Sequence, residues 1–277
     1  MVTCKDYVEM KKNELKKEIE TFERKPKLCV IQVGEDPASA VYVRNKKKTC
    51  DELGIEYEHA HITEYEHLDN YSLAKFIMKK NMDNTIDGII LQLPIPKQFD
   101  EKFLTECITN AKDVDGFSKL SKFTPCTPKG IMDYLTYNNV EFSGKECVVI
   151  GRSNIVGKPL VNMLINEGAT VTCCNSKTPD IRKHTNNADI VISAIGKANY
   201  FDESYFSSEQ ILVDVGINRD ENDKLCGDIT REAKESAKLA TPVPGGVGLL
   251  TVASLMENTV EAYKLSLSYQ KGGYYGR

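Results

Sequence analysis

The stretch that most constrains this chain is Val148-Val149-Ile150-Gly151-Arg152-Ser153-Asn154-Ile155-Val156-Gly157-Lys158-Pro159. A β-branched run ends on a glycine, a short polar loop follows, and a second glycine and a proline open an apolar pattern at Leu160, Val161, Met163 and Leu164. The order reads as strand, tight turn, helix. A helix N-terminus behind such a turn presents free backbone N–H groups and the positive end of its dipole, which suits a phosphate. Pro159 falls in the first helical turn, where its missing N–H costs least. The spacing is G-x-S-x-x-x-G, with Ser153 where a second glycine would stand in the G-x-G-x-x-G fingerprint. Glycine spacing alone therefore also fits a tight βα turn in another α/β protein.

The next strand candidate, Ala169 to Cys174, ends at Asn175-Ser176-Lys177-Thr178. A cofactor with a free ribose 2′-hydroxyl meets Asp or Glu at this point. Here there is a hydroxyl and a lysine, with Arg152 in the preceding turn. With cations to pair a 2′-phosphate and no carboxylate to repel it, the reading is NADP rather than NAD.

The chain of 277 residues has room for one large domain or two ordinary ones. A net charge of −4 argues against a nucleic-acid or membrane surface, and no apolar run is long enough to span a bilayer. Met1 to Lys17 is polar and charged, without a secretory apolar core, so the expected location is the cytoplasm. The nine cysteines include no C-x-x-C pair; they stand singly in apolar patterns (Cys29, Cys147, Cys173) or on helices (Cys50, Cys107). They read as buried free thiols of a reducing compartment, with no metal site.

The pattern predicts a helix through Leu15 and Ile19, a strand over 28–33, and a helix from Pro37 to Leu53 behind an Asp36 cap. At 3.6 residues per turn, Ala38, Tyr42, Lys46, Thr49 and Leu53 share a face, while Arg44, Lys47 and Lys48 lie roughly opposite. The lysine run therefore divides: two fit a solvated face. Lys46 shares the side of an aromatic and a leucine. There it either snorkels along apolar surface, the ordinary reading that the wheel alone favours, or is an amine in a partly desolvated cleft suited to acid–base work.

A strand over 55–62 puts His59 and His61 on one face, read as solvent-facing histidines because no third metal ligand is evident. A helix over 70–82 precedes the strand Asp87 to Pro94, whose one polar residue in the apolar run is Gln92. A buried amide must find partners, or it faces a site at the strand's C-terminal end. Helix 99–108 follows, then Lys112-Asp113-Val114-Asp115-Gly116-Phe117, a turn whose acids would ordinarily serve the backbone. Pro125 to Lys129 is the expected domain junction, leading into a helix over 130–137. Beyond Gly144 come strand 146–150, helix 156–166, strand 170–174, a short helix near 179–184, and strands 189–195 and 211–215, a doubly wound dinucleotide-binding order. Pro244-Gly245-Gly246-Val247-Gly248 can continue neither strand nor helix, so its backbone bends close against something. An amphipathic helix over 249–267 ends the pattern, and the tail 272–277 is expected to fray.

Five motifs together resemble one family, the bifunctional methylenetetrahydrofolate dehydrogenase/methenyltetrahydrofolate cyclohydrolases. They are Tyr42-Val43-x-x-Lys46, Leu91-Gln92-Leu93-Pro94, Lys112-Asp113-Val114-Asp115-Gly116, Gly151-Arg152-Ser153-x-Ile155-Val156-Gly157-x-Pro159 and Pro244-Gly245-Gly246-Val247-Gly248, in an order that spans nearly the whole chain. The resemblance overturns the snorkelling reading of Lys46. Two departures are visible: Leu249-Leu250-Thr251 stands where the family has Pro-Met-Thr, and Asn175-Ser176 where it has His-Ser.

The resemblance implies an α/β protein of two domains with a cleft between them: a discontinuous folate-binding catalytic domain over 1–122 and 250–277, and a Rossmann-type NADP-binding domain over 123–249. It implies an oxidoreductase and hydrolase of one-carbon metabolism that oxidises 5,10-methylenetetrahydrofolate with NADP⁺ and hydrolyses the methenyl product to 10-formyltetrahydrofolate, a purine-biosynthetic donor. Lys46, Gln92, Tyr42 and Asp115 would be catalytic. Gly151, Arg152, Ser153, Ile155, Val156, Gly157, Ser176 and Ile217 would bind the cofactor. Tyr42, Leu93, Asp115, Gly245, Gly246 and Thr251 would bind the substrate. A homodimer through the Rossmann domain is the implied assembly, with tetrahydrofolate derivatives as ligands and no metal, nucleic acid or membrane. Two rival readings are an NADP-dependent dehydrogenase of a small hydroxy or amino acid and a redox-sensing binding module without catalysis; joint retention of Lys46, Gln92 and Asp115 argues against the latter.

Overall fold

A computed structural model describes residues 1–272, so part of the tail expected to fray lies outside the described residues. The chain divides into two compact units, one of residues 10–126 and 252 onward, the other of residues 1–9 and 127–251.

In the first unit the chain runs through α1 (Cys4–Ile19, shared with the second unit), β1 (Lys27–Val33), α2 (Pro37–Leu53), β2 (Glu56–Ile62), α3 (Asn70–Asn81), β3 (Gly88–Leu91) and α4 (Glu101–Glu106). Its sheet is parallel in the order β2-β1-β3. Both faces of β1 are covered, which is why its sequence is an unbroken apolar run. Leu28 and Val30 pack with Leu15, Ile19, Val43 and Leu53 on one face. Cys29, Ile31 and Val33 pack with Leu73, Ile77 and Leu104 on the other. Asp caps start the helices: Asp36 accepts Ser39 N–H at 2.8 Å, Asp69 accepts Ser72 N–H at 2.8 Å and Asp100 accepts Phe103 N–H at 3.0 Å. The last cap starts α4 two residues later than the apolar pattern suggests.

The second unit comprises α5 (Cys126–Tyr137), β4 (Glu146–Ile150), α6 (Gly157–Asn166), β5 (Thr170–Cys174), α7 (Arg182–Thr185), β6 (Ile190–Ser193), a 3₁₀ turn (Glu203–Tyr205), β7 (Ile211–Asp214), the hairpin β8 (Asn218–Arg219) and β9 (Leu225–Cys226), α8 (Arg231–Ser236) and β10 (Leu239–Ala240). Its five strands are parallel in the order β10-β7-β6-β4-β5. Val148, Ile150, Val191 and Leu212 form a core with Phe201, Ile229 and Ala233. Helix α5 begins four residues earlier than its pattern suggests, because Pro128 fits the first turn. Residues 1–9 group here, although the sequence reading places 1–122 in the other domain. The ring of Tyr7 packs on Tyr134 and Tyr137 at 5.7 and 5.1 Å between centroids, and Tyr134 Oη donates to Val2 O at 2.9 Å. Cys173 corrects another expectation: β5 is an edge strand, so this thiol is exposed, and Cys107 and Cys226 are half-buried.

The chain ends in α9 (Val247–Gly272), longer than its pattern suggested. From residue 252 it belongs to the first unit, where Leu255, Met256 and Val260 complete the core against α1 and α2.

Candidate active site

In the first unit, α2 is held between its Asp36 cap with Pro37 and a left-handed Gly54 (φ 79°). Thr49 and Leu53 are buried, Lys46 is half-buried, and Tyr42 one turn earlier is 36% exposed. Burial raises the Tyr42 phenol pKa. Lys47 pairs with Asp51 at 2.7 Å and Lys48 with Glu52 at 3.8 Å, both along the exposed face of the helix. Lys46 turns the other way, and its Nζ donates to Gln92 Oε1 at 3.0 Å.

Gln92 follows β3, and its backbone N–H extends the sheet by donating to Ile31 O at 2.8 Å. It is 7% exposed. An amide oxygen only accepts, so the Lys46 contact fixes which end of the amide faces the amine. The Nε2 end donates to Leu93 O at 2.7 Å, and the same carbonyl accepts Ser39 Oγ at 3.2 Å. Both lone pairs of Leu93 O are thus used, and Gln92 is held at each end.

The 112–114 segment runs beside β3, with Ile89 N–H donating to Lys112 O at 2.7 Å. The two acids that follow do different work. Asp113 is 1% exposed and its carboxylate accepts Ser118 N–H at 2.8 Å and Phe117 N–H at 3.4 Å. Burial pushes its pKa up to about 6, with Asp115 adding to the rise and the turn's hydrogen bonds opposing it. Asp115 keeps an accessible edge and gives its backbone carbonyl to Cys126 N–H at 3.3 Å. Burial raises its carboxyl pKa as well; the charge of Lys46 and a hydrogen bond with the Cys126 side chain work against that rise. Lys46, Gln92 and Asp115 therefore belong to one electrostatic neighbourhood, with Tyr42 one helical turn from the amine.

Asn258 of α9 escaped the sequence reading. It is 1% exposed, and Nδ2 donates to Val114 O at 2.9 Å and Thr124 O at 3.1 Å, tying both ends of the Asp115 loop. Its signal was available: a lone amide in an apolar helical pattern, as Gln92 is in a strand. His59 and His61 stack at 5.1 Å, the first donating to Gln32 Oε1 at 3.0 Å and the second to Gly34 O at 2.9 Å. Among the described residues, no group of His, Cys, Asp and Glu could hold a metal ion.

In the second unit, the turn between β4 and α6 carries Gly151, Arg152, Ser153, Ile155, Val156 and Gly157. A Cβ on Gly151 would lie 2.4 Å from Ala194 O, and one on Gly157 2.2 Å from Gly151 O, so the turn closes only with glycine at both places. Ser153 Oγ accepts Val156 N–H at 3.2 Å and Gly157 N–H at 3.3 Å, drawing the loop over the helix N-terminus. Arg152, Ser153 and Ile155 are exposed. Gly151 N–H donates to Cys174 O at 2.9 Å, which joins this turn to the end of β5. After β5, Asn175 Oδ1 accepts Lys177 N–H at 3.0 Å, leaving Ser176 and Lys177 exposed on a tight Asx turn. A glycine cradle at a helix N-terminus, an adjacent arginine and a serine–lysine turn fit a dinucleotide carrying a 2′-phosphate.

Ile217 is 48% exposed, just past Gly216 at the end of β7. Its neighbours are fixed by two buried carboxylates that the sequence reading did not single out. Asp214 accepts Gly216 N–H and Asp228 N–H on Oδ1 at 3.0 and 2.9 Å, and Ile229 N–H and Lys234 Nζ on Oδ2 at 3.0 and 2.6 Å. Asp228 accepts Ser193 Oγ and Ile195 N–H on Oδ2 at 2.9 and 2.8 Å, and Lys197 N–H and Asn218 Nδ2 on Oδ1 at 2.9 and 3.0 Å. Their partners are scattered from 193 to 234, so no local spacing announces them. In the Pro244–Gly248 segment, a Cβ on Gly246 would lie 2.1 Å from Pro242 O, while Gly245 is exposed at φ 94°. Thr251 Oγ1 donates to Val247 O at 3.0 Å and so accepts from Thr127 Oγ1 at 2.9 Å.

Comparison with known proteins adds the chain's relatives. Residues 2–115 match the family model described as tetrahydrofolate dehydrogenase/cyclohydrolase, catalytic domain; residues 125–267 match the same family's NAD(P)-binding domain. The bifunctional protein FolD of Agathobacter rectalis is 47% identical over 269 residues, 91% of this chain and 95% of its own length. The crystal structure of the bifunctional FolD methylenetetrahydrofolate dehydrogenase/cyclohydrolase of Campylobacter jejuni superposes with a TM-score of 0.91 at 39% identity, covering 94% of this chain and 97% of that one. That of Trypanosoma brucei FolD, complexed with NADP cofactor and inhibitor, gives 0.90 at 29% identity, covering 96% and 98%.

Proposed function

This chain belongs to the tetrahydrofolate dehydrogenase/cyclohydrolase family, and we propose that its two units divide the chemistry of one folate substrate. It is an NADP-dependent oxidoreductase and a hydrolase, converting 5,10-methylenetetrahydrofolate to 5,10-methenyltetrahydrofolate and then to 10-formyltetrahydrofolate. The observation that carries the residue assignment is the Lys46 amine hydrogen-bonded at 3.0 Å to a Gln92 amide that is itself anchored, within the electrostatic reach of Asp115.

Tyr42 presents a half-exposed ring on which a pterin can stack. Asp115 supplies an acceptor for the pterin's donor-rich edge. Gly151, Ser153, Val156 and Gly157 form the cradle for the cofactor's pyrophosphate, and Arg152 and Ser176 take its 2′-phosphate. NADP⁺, when bound, supplies the acceptor for the hydride of the methylene carbon. The two folate nitrogens stabilise the cation that remains, so this step asks the chain for positioning rather than proton transfer. Leu93, Ile155, Ile217, Gly245, Gly246 and Thr251 contribute to that positioning.

The hydrolytic step does need a proton path. Water adds to the methenyl carbon and loses a proton, leaving a hydroxyl. That hydroxyl loses its own proton and becomes the formyl C=O as the bond from the carbon to one ring nitrogen breaks and the nitrogen takes up a proton. Overall one water is consumed and one proton released. Lys46 handles these protons, and Gln92 fixes the direction of its amine.

The assembly is a homodimer formed through the second unit, supported by the family resemblance and by β5, an edge strand whose backbone is a template for pairing. The protein works in the cytoplasm and supplies formyl groups for purine synthesis; among the described residues no helix is long and apolar enough to cross a membrane. The test is absorbance. Mixing the protein with methylenetetrahydrofolate and NADP⁺ should produce NADPH and the methenyl chromophore, and supplied methenyltetrahydrofolate should decay faster than in buffer. Absence of either reaction removes the corresponding half of the reading.

A further inference from the structure

Asp228 is fully buried. An ionised carboxylate offers about four acceptor positions, and in Asp228 all four are taken, by Ser193 Oγ, Ile195 N–H, Lys197 N–H and Asn218 Nδ2. Its own backbone is held by Asp214, which accepts the N–H groups of Asp228 and Ile229 and pairs with Lys234. Room for the two carboxyls is made by glycine: a Cβ on Gly216 would lie 2.2 Å from Asp228 Oδ1, and one on Gly227 1.9 Å from Asp214 Oδ2.

Burying a carboxylate is a costly way to hold a fold, and an apolar side chain of similar volume serves stability as well or better. What a saturated carboxylate does better is fix several backbone N–H groups in one geometry. Those fixed here are specific. The N–H groups of Ile195 and Lys197 leave the C-terminal end of β6; past the end of β7, beside Ile217, Asp228 holds the side-chain amide of Asn218 and Asp214 holds Gly216 N–H. In a doubly wound sheet the ligand lies across the C-terminal strand ends. The order β10-β7-β6-β4-β5 puts the 2′-phosphate turn after β5 and the pyrophosphate turn after β4, so the remaining end of the dinucleotide falls over β6 and β7.

We infer that Asp228, braced by Asp214, is the positioning residue for hydride transfer: it sets the backbone at Ile195–Lys197 and Ile217 on which the nicotinamide end of NADP⁺ rests. It touches neither substrate nor cofactor. The inference rests on the dinucleotide reading above, and the two activities of the enzyme separate the two claims.

The experiment uses the full-length enzyme and its Asp228→Asn, Ser193→Ala and Asn218→Ala variants. NADP⁺-dependent oxidation of methylenetetrahydrofolate is measured beside hydrolysis of supplied methenyltetrahydrofolate without dinucleotide. Misplacement by about 1 Å can cost roughly 100-fold, so Asp228→Asn should lose about 10–100-fold in the kcat of oxidation. The KM for NADP⁺, set mainly at Arg152 and Ser176, should change less, and hydrolysis should stay within about twofold. Ser193→Ala and Asn218→Ala, which each remove one donor, should show the same split at a few-fold, and they decide the matter if Asp228→Asn does not fold. Equal loss of both activities in folded variants overturns the inference in favour of a merely structural acid, as does unchanged oxidation. A wild-type enzyme without NADP⁺-dependent oxidation overturns the functional reading itself, and the inference with it, before any variant is compared.

Discussion

Lys46 Nζ and Gln92 Oε1 are joined by a 3.0 Å hydrogen bond between the middle of α2 and the end of β3, two segments 46 residues apart in the chain. The bond separates Lys46 from its neighbours. Lys47 and Lys48 pair with Asp51 and Glu52 on their own helix, in contacts of a kind worth a few tenths of a kcal/mol at a surface. Lys46 is held by an amide that is 7% exposed and whose other end is bonded to Leu93 O.

That difference predicts a selective loss. Lys46→Met keeps the stem and removes the amine, so hydrolysis of methenyltetrahydrofolate should fall by about 10²–10⁴-fold, the usual worth of acid–base help. NADPH formation should survive in part, because hydride transfer has no obligatory proton donor. Lys47→Met and Lys48→Met should both stay near wild type. Normal hydrolysis by Lys46→Met, or equal damage from Lys47→Met, would remove the assignment.

Asp115→Asn separates a substrate anchor from a turn residue. Asp113 already satisfies the turn, accepting Ser118 N–H at 2.8 Å, so the turn does not depend on the Asp115 carboxyl, which keeps an accessible edge. Both activities should fall about 10-fold or more, as expected when one charged hydrogen bond to substrate is lost. The melting temperature should move by less than about 2–4 °C, the shift that roughly 1 kcal/mol makes in a domain of this size. Any shift should be upward, since burial already opposes the charged form of Asp115. A large downward shift with unchanged kinetics would give Asp115 back to the turn.

What the sequence made legible follows from the range of the forces involved. The β4–α6 turn and the cap of α2 are local, so residue type and spacing expose them: Gly151, Gly157 and Asp36 all sit where the pattern put them. The helical wheel separated Lys46 from Lys47 and Lys48 because a helix's facing is a local property too. Asp228 was invisible because its four donors come from residues 193 to 218, and nothing near Asp228 in sequence signals them. Exposure of Cys173 depends on β5 lying at the sheet edge, a fact of strand order. The elements β8, β9, α8 and β10 span two to six residues each, too short for a period to register.

The serine–lysine turn after β5 and Arg152 after β4 predict cofactor choice. Arg152→Ala should raise the KM for NADP⁺ by about 10–100-fold, corresponding to the roughly 1.5–3 kcal/mol of a charge-assisted contact. The KM for NAD⁺, which lacks the 2′-phosphate, should hardly change. Steady-state kinetics with both cofactors measure the ratio, and equal losses would detach Arg152 from the 2′-phosphate.

Asp113 carries a prediction for pH and stability. Its pKa is raised from 3.8 to about 6, with burial the largest cause. Between those values the native chain holds a proton at this site that the unfolded chain has released, so stability falls as pH rises. The contribution is fully present below pH 3.8 and lost as pH passes about 6. The full span is worth on the order of 3 kcal/mol. Other carboxyls pull in the opposite direction: hydrogen bonds from Ser72 and Thr85 hold Asp69 and Asp83 below the usual range. The informative quantity is therefore the difference between wild type and Asp113→Asn, measured by urea unfolding at several pH values from about 4 to 7. Asparagine cannot titrate, so wild type should lose stability relative to the variant as pH rises through this window, and the curves should run parallel above it. Parallel curves throughout would mean that Asp113 titrates alike in the folded and unfolded chains, and that its burial is offset by the N–H groups of Phe117 and Ser118.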